Sequence, residues 1–131
     1  MEGLGAEEEF KTALLRLAAA IRSDFTAARR EGRLAYLVAS GGFKPESTFA
    51  VIAAYIAGAN GIFYVHESFQ KLVDLPMLPL QIKDAVVKYA EGRADEYALA
   101  RELGLDVGHL EEVGLLKGRE RKLDELIQAL I

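Results

Sequence analysis

The chain has 131 residues, a formal net charge of −4, 51% hydrophobic and 27% charged residues, no cysteine and two histidines. This balance excludes wholesale disorder, a chain-wide electrostatic grip on nucleic acid, a disulfide scaffold, a thiolate nucleophile and a cysteine-ligated metal. His66 and His109 are too few for a polyhistidine metal centre, and no metal or cofactor is expected.

In chain order, the acidic opening MEGLGAEEEF is unlike a secretory leader, which would be basic and then apolar. The longest apolar stretch, about 49–65, is interrupted by Gly58, Asn60 and Gly61, so no membrane span is expected and a cytoplasmic location follows. From Glu7 to about Arg30, Phe10, Leu14, Leu17, Ile21, Phe25 and Ala28 recur at steps of three and four, which predicts one long amphipathic helix. Its acidic start and basic end suit the helix dipole, and Gly32 ends it. Leu34 to Ala39 is a continuous apolar run, the pattern of a strand buried on both faces. Ser40-Gly41-Gly42 breaks it, and Pro45 fits the first turn of a helix that continues to about Ala57. That helix is apolar all round and is expected to be buried. Ile62 to Val65 is the next strand, so the order is strand, loop, helix, parallel strand.

Pro76 and Pro79 forbid a central strand or a helix in LVDLPMLPLQI and leave an edge strand or an extended packed loop. From Asp84 the pattern is helical again. Two short helical patterns over 94–116 are divided at Gly104, and 119–131 predicts a last amphipathic helix with Leu123, Leu126, Ile127 and Leu130 inward. The expected organisation is a truncated or minimal α/β domain over 1–82 and a helical, helix-turn-helix-like appendage over 83–131. The second helix of that appendage offers Asp106, His109, Glu111 and Glu112, a face that argues against DNA binding.

Candidate chemistry gathers at the ends of the two apolar strands, where open α/β sheets bind ligands. In Ser40-Gly41-Gly42-Phe43-Lys44, paired glycines let backbone N–H groups approach an anion, the following helix start adds positive potential, Ser40 adds a hydroxyl and Lys44 a full charge. The loop lacks the Walker spacing and the dinucleotide-binding glycine pattern. Two readings stay open: an anion seat, or a tight turn carrying an ordinary surface lysine. His66 and Glu67 end the second strand on the same edge; neighbours on a strand point to opposite faces, so they need not act as an acid–base pair.

Taken together, ASGGFKPE and GIFYVHESFQKLVDLPMLPL resemble the CARF proteins, the CRISPR-associated Rossmann-fold family, in the branch of the ring nucleases and the sensor halves of ancillary ribonucleases. The likeness rests on a Ser/Thr-Gly-Gly-Phe/Tyr-Lys loop after a buried strand, an aromatic strand ending in a His-Glu-type segment, and the Leu-Pro tract, all within about 34–80. It implies an α/β fold with a partial Rossmann-like parallel sheet, flanking helices and the helical C-terminal appendage. It also implies a homodimer that binds a cyclic oligoadenylate, most often the four-adenosine ring, across its two-fold axis. Ring-nuclease members of the branch cleave that ring without metal, by attack of a 2′-hydroxyl. Carried over by position, Ser40, Gly41, Gly42, Phe43, Lys44, His66 and Glu67 are ligand-binding residues and Lys44 is the catalytic candidate. The chain departs from the family in opening on a helix where an additional strand is usual, and in Ala39 where relatives often carry a polar residue. The alternatives to a ring-binding protein or ring nuclease are a non-catalytic sensor or dimerisation module regulating an effector nuclease, and a transcriptional regulator.

Overall fold

A computed structural model describes residues 2–40, 45–66 and 71–131, with the side chains of 2–6, Ser40, Pro45 and His66 outside the description. The chain divides into two compact units, Met1–Gln81 and Ile82–Ile131. It is a mixed α/β protein.

Unit 1 begins with helix α1 (Glu2–Arg30), followed by strand β1 (Tyr36–Ser40), helix α2 (Pro45–Ile56) and strands β2 (Gly61–His66) and β3 (Lys71–Leu75). Its sheet has the order β1-β2-β3, with β1 and β2 parallel and β2 and β3 antiparallel. The edge position of β3, ending just before Pro76, is the arrangement that the two prolines require.

On α1, Leu14, Ala18, Ile21, Phe25 and Ala28 are buried, while Phe10 stays open to solvent. The apolar period is correct, with Ala18 rather than Leu17 at the centre of the stripe. On α2, Ala50, Ala53, Ala54 and Tyr55 are buried, and α1 and α2 pack against each other. Alanines on both helices permit a close approach. Ile52 is exposed, so α2 is not enclosed all round.

Both helices end in the same motif. The Gly32 N–H donates to the Arg29 carbonyl and the Arg33 N–H to the Ala28 carbonyl; at the end of α2, Gly58 donates to Tyr55 and Ala59 to Ala54. Each closure needs a left-handed residue, supplied by Gly32 at φ 70° and Gly58 at φ 98°. Gly58 has a second reason to be glycine. A Cβ there would lie 2.0 Å from the Arg29 Nη2 atom, which donates to the Ala57 carbonyl at 2.6 Å.

Asn60 sets the start of the parallel pair. Its backbone N–H donates to the Ala35 carbonyl at 2.8 Å, and its Oδ1 accepts from the Ala35 N–H at 2.9 Å. Tyr55, only 3% exposed, donates from its hydroxyl to the Pro76 carbonyl and ties α2 to the segment after β3.

The expectation that β1 is buried on both faces is corrected. Ala39 is buried and Leu37 half-buried, but Tyr36 and Val38 are exposed. A β-α-β crossover lays its helix over one face only, so α2, which packs on β1, covers the face bearing Ala39 and Ile62, and α1 packs on α2.

Unit 2 contains α3 (Asp84–Ala90), α4 (Glu96–Leu103), α5 (His109–Glu112), a two-strand ribbon of β4 (Leu116–Lys117) and β5 (Lys122–Leu123), and α6 (Glu125–Leu130). Val86, Leu99, Ala100, Leu110, Leu116 and Leu123 form its core. The division at Gly104 is present: this residue adopts φ 70° and closes α4, whose N-terminus is capped by the Asp95 carboxylate accepting from the Ala98 N–H.

A helix over 119–131 is not what forms. Gly118 and Arg121 both take left-handed backbone, at φ 75° and φ 50°, and turn the chain between β4 and β5. The helix starts only after Asp124, whose Oδ1 accepts from the Leu126 N–H while its other oxygen pairs with Lys117. Arg121 holds the ribbon down. Its guanidinium pairs with Glu96 and donates to the Val107 carbonyl, and its own carbonyl accepts from the Tyr89 hydroxyl.

Candidate functional site

The parallel register fixes where the ends of the strands lie. Tyr36 pairs with Gly61, and the pairing runs without interruption to Ser40 beside Val65. Ser40 at the end of β1 and His66 at the end of β2 therefore reach the same sheet edge, His66 one residue further on. The helix that follows begins at Pro45, with Glu46 in its first turn. A four-residue connection keeps that helix start within about 18 Å of Ser40. The edge thus carries two strand ends and a helix N-terminus, the topology that α/β proteins use to seat ligands.

Of the residues singled out from the sequence, Ser40 and His66 are brought to one edge through their backbones. Gly41, Gly42, Phe43, Lys44 and Glu67 lie outside the described residues.

One residue at this edge is not signalled by the sequence reading. Lys71, the first residue of β3, is the register partner of His66 and is exposed. The antiparallel return of the chain brings an ammonium group back to the strand-end edge. Its sequence signal is only that a lysine precedes an apolar pair; register, which composition does not reveal, makes it relevant.

Among the described residues no cluster of three or more His, Cys, Asp or Glu could hold a metal ion. Among them also, no helix is long and apolar enough to cross a membrane.

The family described as "CRISPR-associated protein (Cas_APE2256)" matches residues 1–78, a span that takes in α1 and the whole three-stranded sheet. The chain belongs to this CRISPR-associated family. The matched segment ends within unit 1, so the family assignment rests on the α/β unit and its strand-end edge.

Proposed function

We propose that the protein binds cyclic oligoadenylate, with cyclic tetra-adenylate as the leading ligand, at the strand-end edge of unit 1, and that ring cleavage without metal is the activity to test there. The observation that carries this reading is the parallel β1–β2 register, which brings Ser40 and His66 to one edge ahead of the α2 N-terminus. Membership of a CRISPR-associated family supports it. So does the likeness of the Ser40–Lys44 loop to the CARF ligand loop.

The chemistry fits a phosphodiester ring. Strand-end amides supply neutral donors, while Lys44 and Lys71 are cations in the sequence flanking the two strand ends. Attack of an internal 2′-hydroxyl on the adjacent phosphorus expels the 5′-oxygen of the next nucleotide and leaves a cyclic phosphate. The hydroxyl proton leaves as the new P–O bond forms, and the departing oxygen takes up a proton. Such a step depends on in-line geometry and on stabilisation of the charge developing at phosphorus, a role suited to Lys44.

Incubation with radiolabelled cyclic tetra-adenylate in EDTA separates the outcomes. Linear products support the nuclease; an intact ring in a retarded complex supports a sensor; no complex at micromolar protein refutes the reading. In the Lys44→Ala variant, binding is expected to weaken about tenfold or more, or cleavage to stop, as for loss of one charge-assisted phosphate contact. Wild-type behaviour of that variant would remove Lys44 from the site.

A further inference from the structure

At the end of the sheet opposite to Ser40 and His66, where α1 and α2 stop and β1 begins, unit 1 holds a cavity of about 390 Å³. Small-molecule sites run from roughly 300 to 1,000 Å³, so this one has the volume for a ligand. Its walls are of two kinds. Phe25, Leu34 and Met77 are apolar, and Leu34 and Met77 are exposed although they line a cavity. Arg29, Arg33 and Asn60 are polar.

The polar wall offers donors. Arg29 donates from Nη2 to the Ala57 carbonyl at 2.6 Å, and its other N–H groups have no hydrogen-bond or ion-pair partner among the described residues. Arg33 is neutralised by Glu31, so Arg29 carries the unbalanced charge of the lining. Asn60 Oδ1 is occupied by the Ala35 N–H, while Nδ2 meets the Met77 sulfur at 3.9 Å, a weak acceptor that leaves the amide protons open to a better one. Helix C-termini ordinarily repel anions, but here their carbonyls are largely taken. The N–H groups of Glu31, Gly32 and Arg33 occupy those at the end of α1, those of Ala57, Gly58 and Ala59 do so at the end of α2, and Arg29 takes Ala57. Glycine at 58 belongs to the same arrangement, because a Cβ there would collide with the Arg29 guanidinium.

We propose that this cavity binds an oxyanion, phosphate or carboxylate, carried on a flat aromatic body no larger than a mononucleotide. The open edge of the Arg29 guanidinium pairs with the oxyanion, for which its planar fork is suited. The Asn60 amide donates to an acceptor of the ligand. Phe25 and the Met77 sulfur favour an aromatic ring over an aliphatic chain. The site is distinct from the strand-end edge and does not rest on the ligand proposed there: the length of β1, about 13 Å from Tyr36 to Ser40, lies between them.

Amide NMR of the full chain, titrated separately with 5′-AMP and with phenylacetate, tests the site. At least one probe is expected to bind with Kd below about 1 mM and to move the signals of Ala35, Gly58 and Asn60; the tighter probe names the oxyanion. The uncharged counterparts adenosine and 2-phenylethanol, and inorganic phosphate alone, should each bind about tenfold more weakly or worse. Arg29→Gln should weaken binding by about tenfold or more. Because Arg29 also holds the end of α2, Leu34→Glu serves as the second variant: it sets a carboxylate at an exposed position of the lining and should weaken binding as much at an unchanged unfolding midpoint. Silence of Ala35, Gly58 and Asn60 with both probes at about 5 mM overturns the site. Wild-type affinity in Leu34→Glu, or equal affinity for the uncharged counterparts or for bare phosphate, overturns it too. If the shifts fall instead at Ser40 and Val65 and vanish in Lys44→Ala, the probe sits at the strand-end edge and the cavity is again overturned.

Discussion

Of the thirteen large hydrophobic side chains exposed among the described residues, eleven belong to unit 1 and only Tyr97 and Val113 to unit 2. Chain length predicts the opposite, because a smaller unit has more surface for its volume and should bury apolar groups less well. Architecture explains the inversion. Unit 2 wraps four short helices and a ribbon around one centre, so Leu99 and Leu110 are fully enclosed and Leu116 almost so. Unit 1 is layered: the helix layer covers one face of β1 and β2, and the edge strand β3 is exposed on both faces. An uncovered layer is a property of the topology, not of poor packing, since Ala54, Ala59 and Ile62 on the covered side are as buried as anything in unit 2.

Substitution can sharpen or break this contrast. The largest effect is expected from Leu110→Ala, which empties a fully buried site in unit 2 and should cost about 2–5 kcal/mol in urea unfolding. Its counterpart in unit 1, Val38→Lys, should change folding stability by less than about 0.5 kcal/mol, as at other open surface positions. A comparable loss in both variants would show that the sheet face is covered in solution and end the contrast.

A middle-sized effect is expected from Asn60→Ala. It leaves the Ala35 N–H without its side-chain partner and should cost about 1–2 kcal/mol, read from the unfolding midpoint. Because Asn60 sets the β1–β2 start, faster amide exchange over β1 should accompany the loss. Unchanged exchange there would mean that the strand pair alone holds the register.

The smallest effect concerns pH and unit 2. Burial, reinforced by the Glu96 carboxylate and opposed by Arg121, raises the Tyr89 phenol above its ordinary value of 10.0. A raised folded-state value means the unfolded chain loses this proton first. The contribution to stability is therefore complete below about pH 10 and is lost as pH rises through the folded-state value. Unfolding midpoints taken across pH 9 to 11 should fall more steeply for the wild type than for Tyr89→Phe. Parallel slopes would assign the alkaline loss to other groups.

Much of the fold is legible in local pattern. The three- and four-residue spacing from Leu14 to Ala28 marks α1, Pro45 marks the start of α2, and Pro76 marks the end of the edge strand. Gly32, Gly58 and Gly104 mark helix ends because a left-handed closure is costly for any residue with a Cβ. The misread segment is 119–131, where Leu123 keeps a helical period with Ile127 and Leu130 but belongs to a strand. The deciding features there are Arg121, a non-glycine residue held in left-handed backbone by contacts with Tyr89, Glu96 and Val107, and Asp124, which begins the helix late. These partners lie up to 32 residues away, beyond the reach of a local pattern.

The candidate site divides in the same way. Ser40 and His66 are recognisable in sequence as the ends of two apolar runs, whereas Lys71 matters only because an antiparallel return sets it beside His66.

From its sequence alone, this protein determined where most elements before residue 119 begin and end and which residue types stand at the strand ends, because helix period, proline and glycine act over a few neighbouring residues. Only the tertiary structure decided that β1 and β2 are covered on one side, that Lys71 stands at the strand-end edge and that an apolar face is left open. Register and layering are set by hydrogen bonds and contacts between distant segments, and a continuous apolar run such as Leu34–Ala39 reads the same whether a second layer covers it or not.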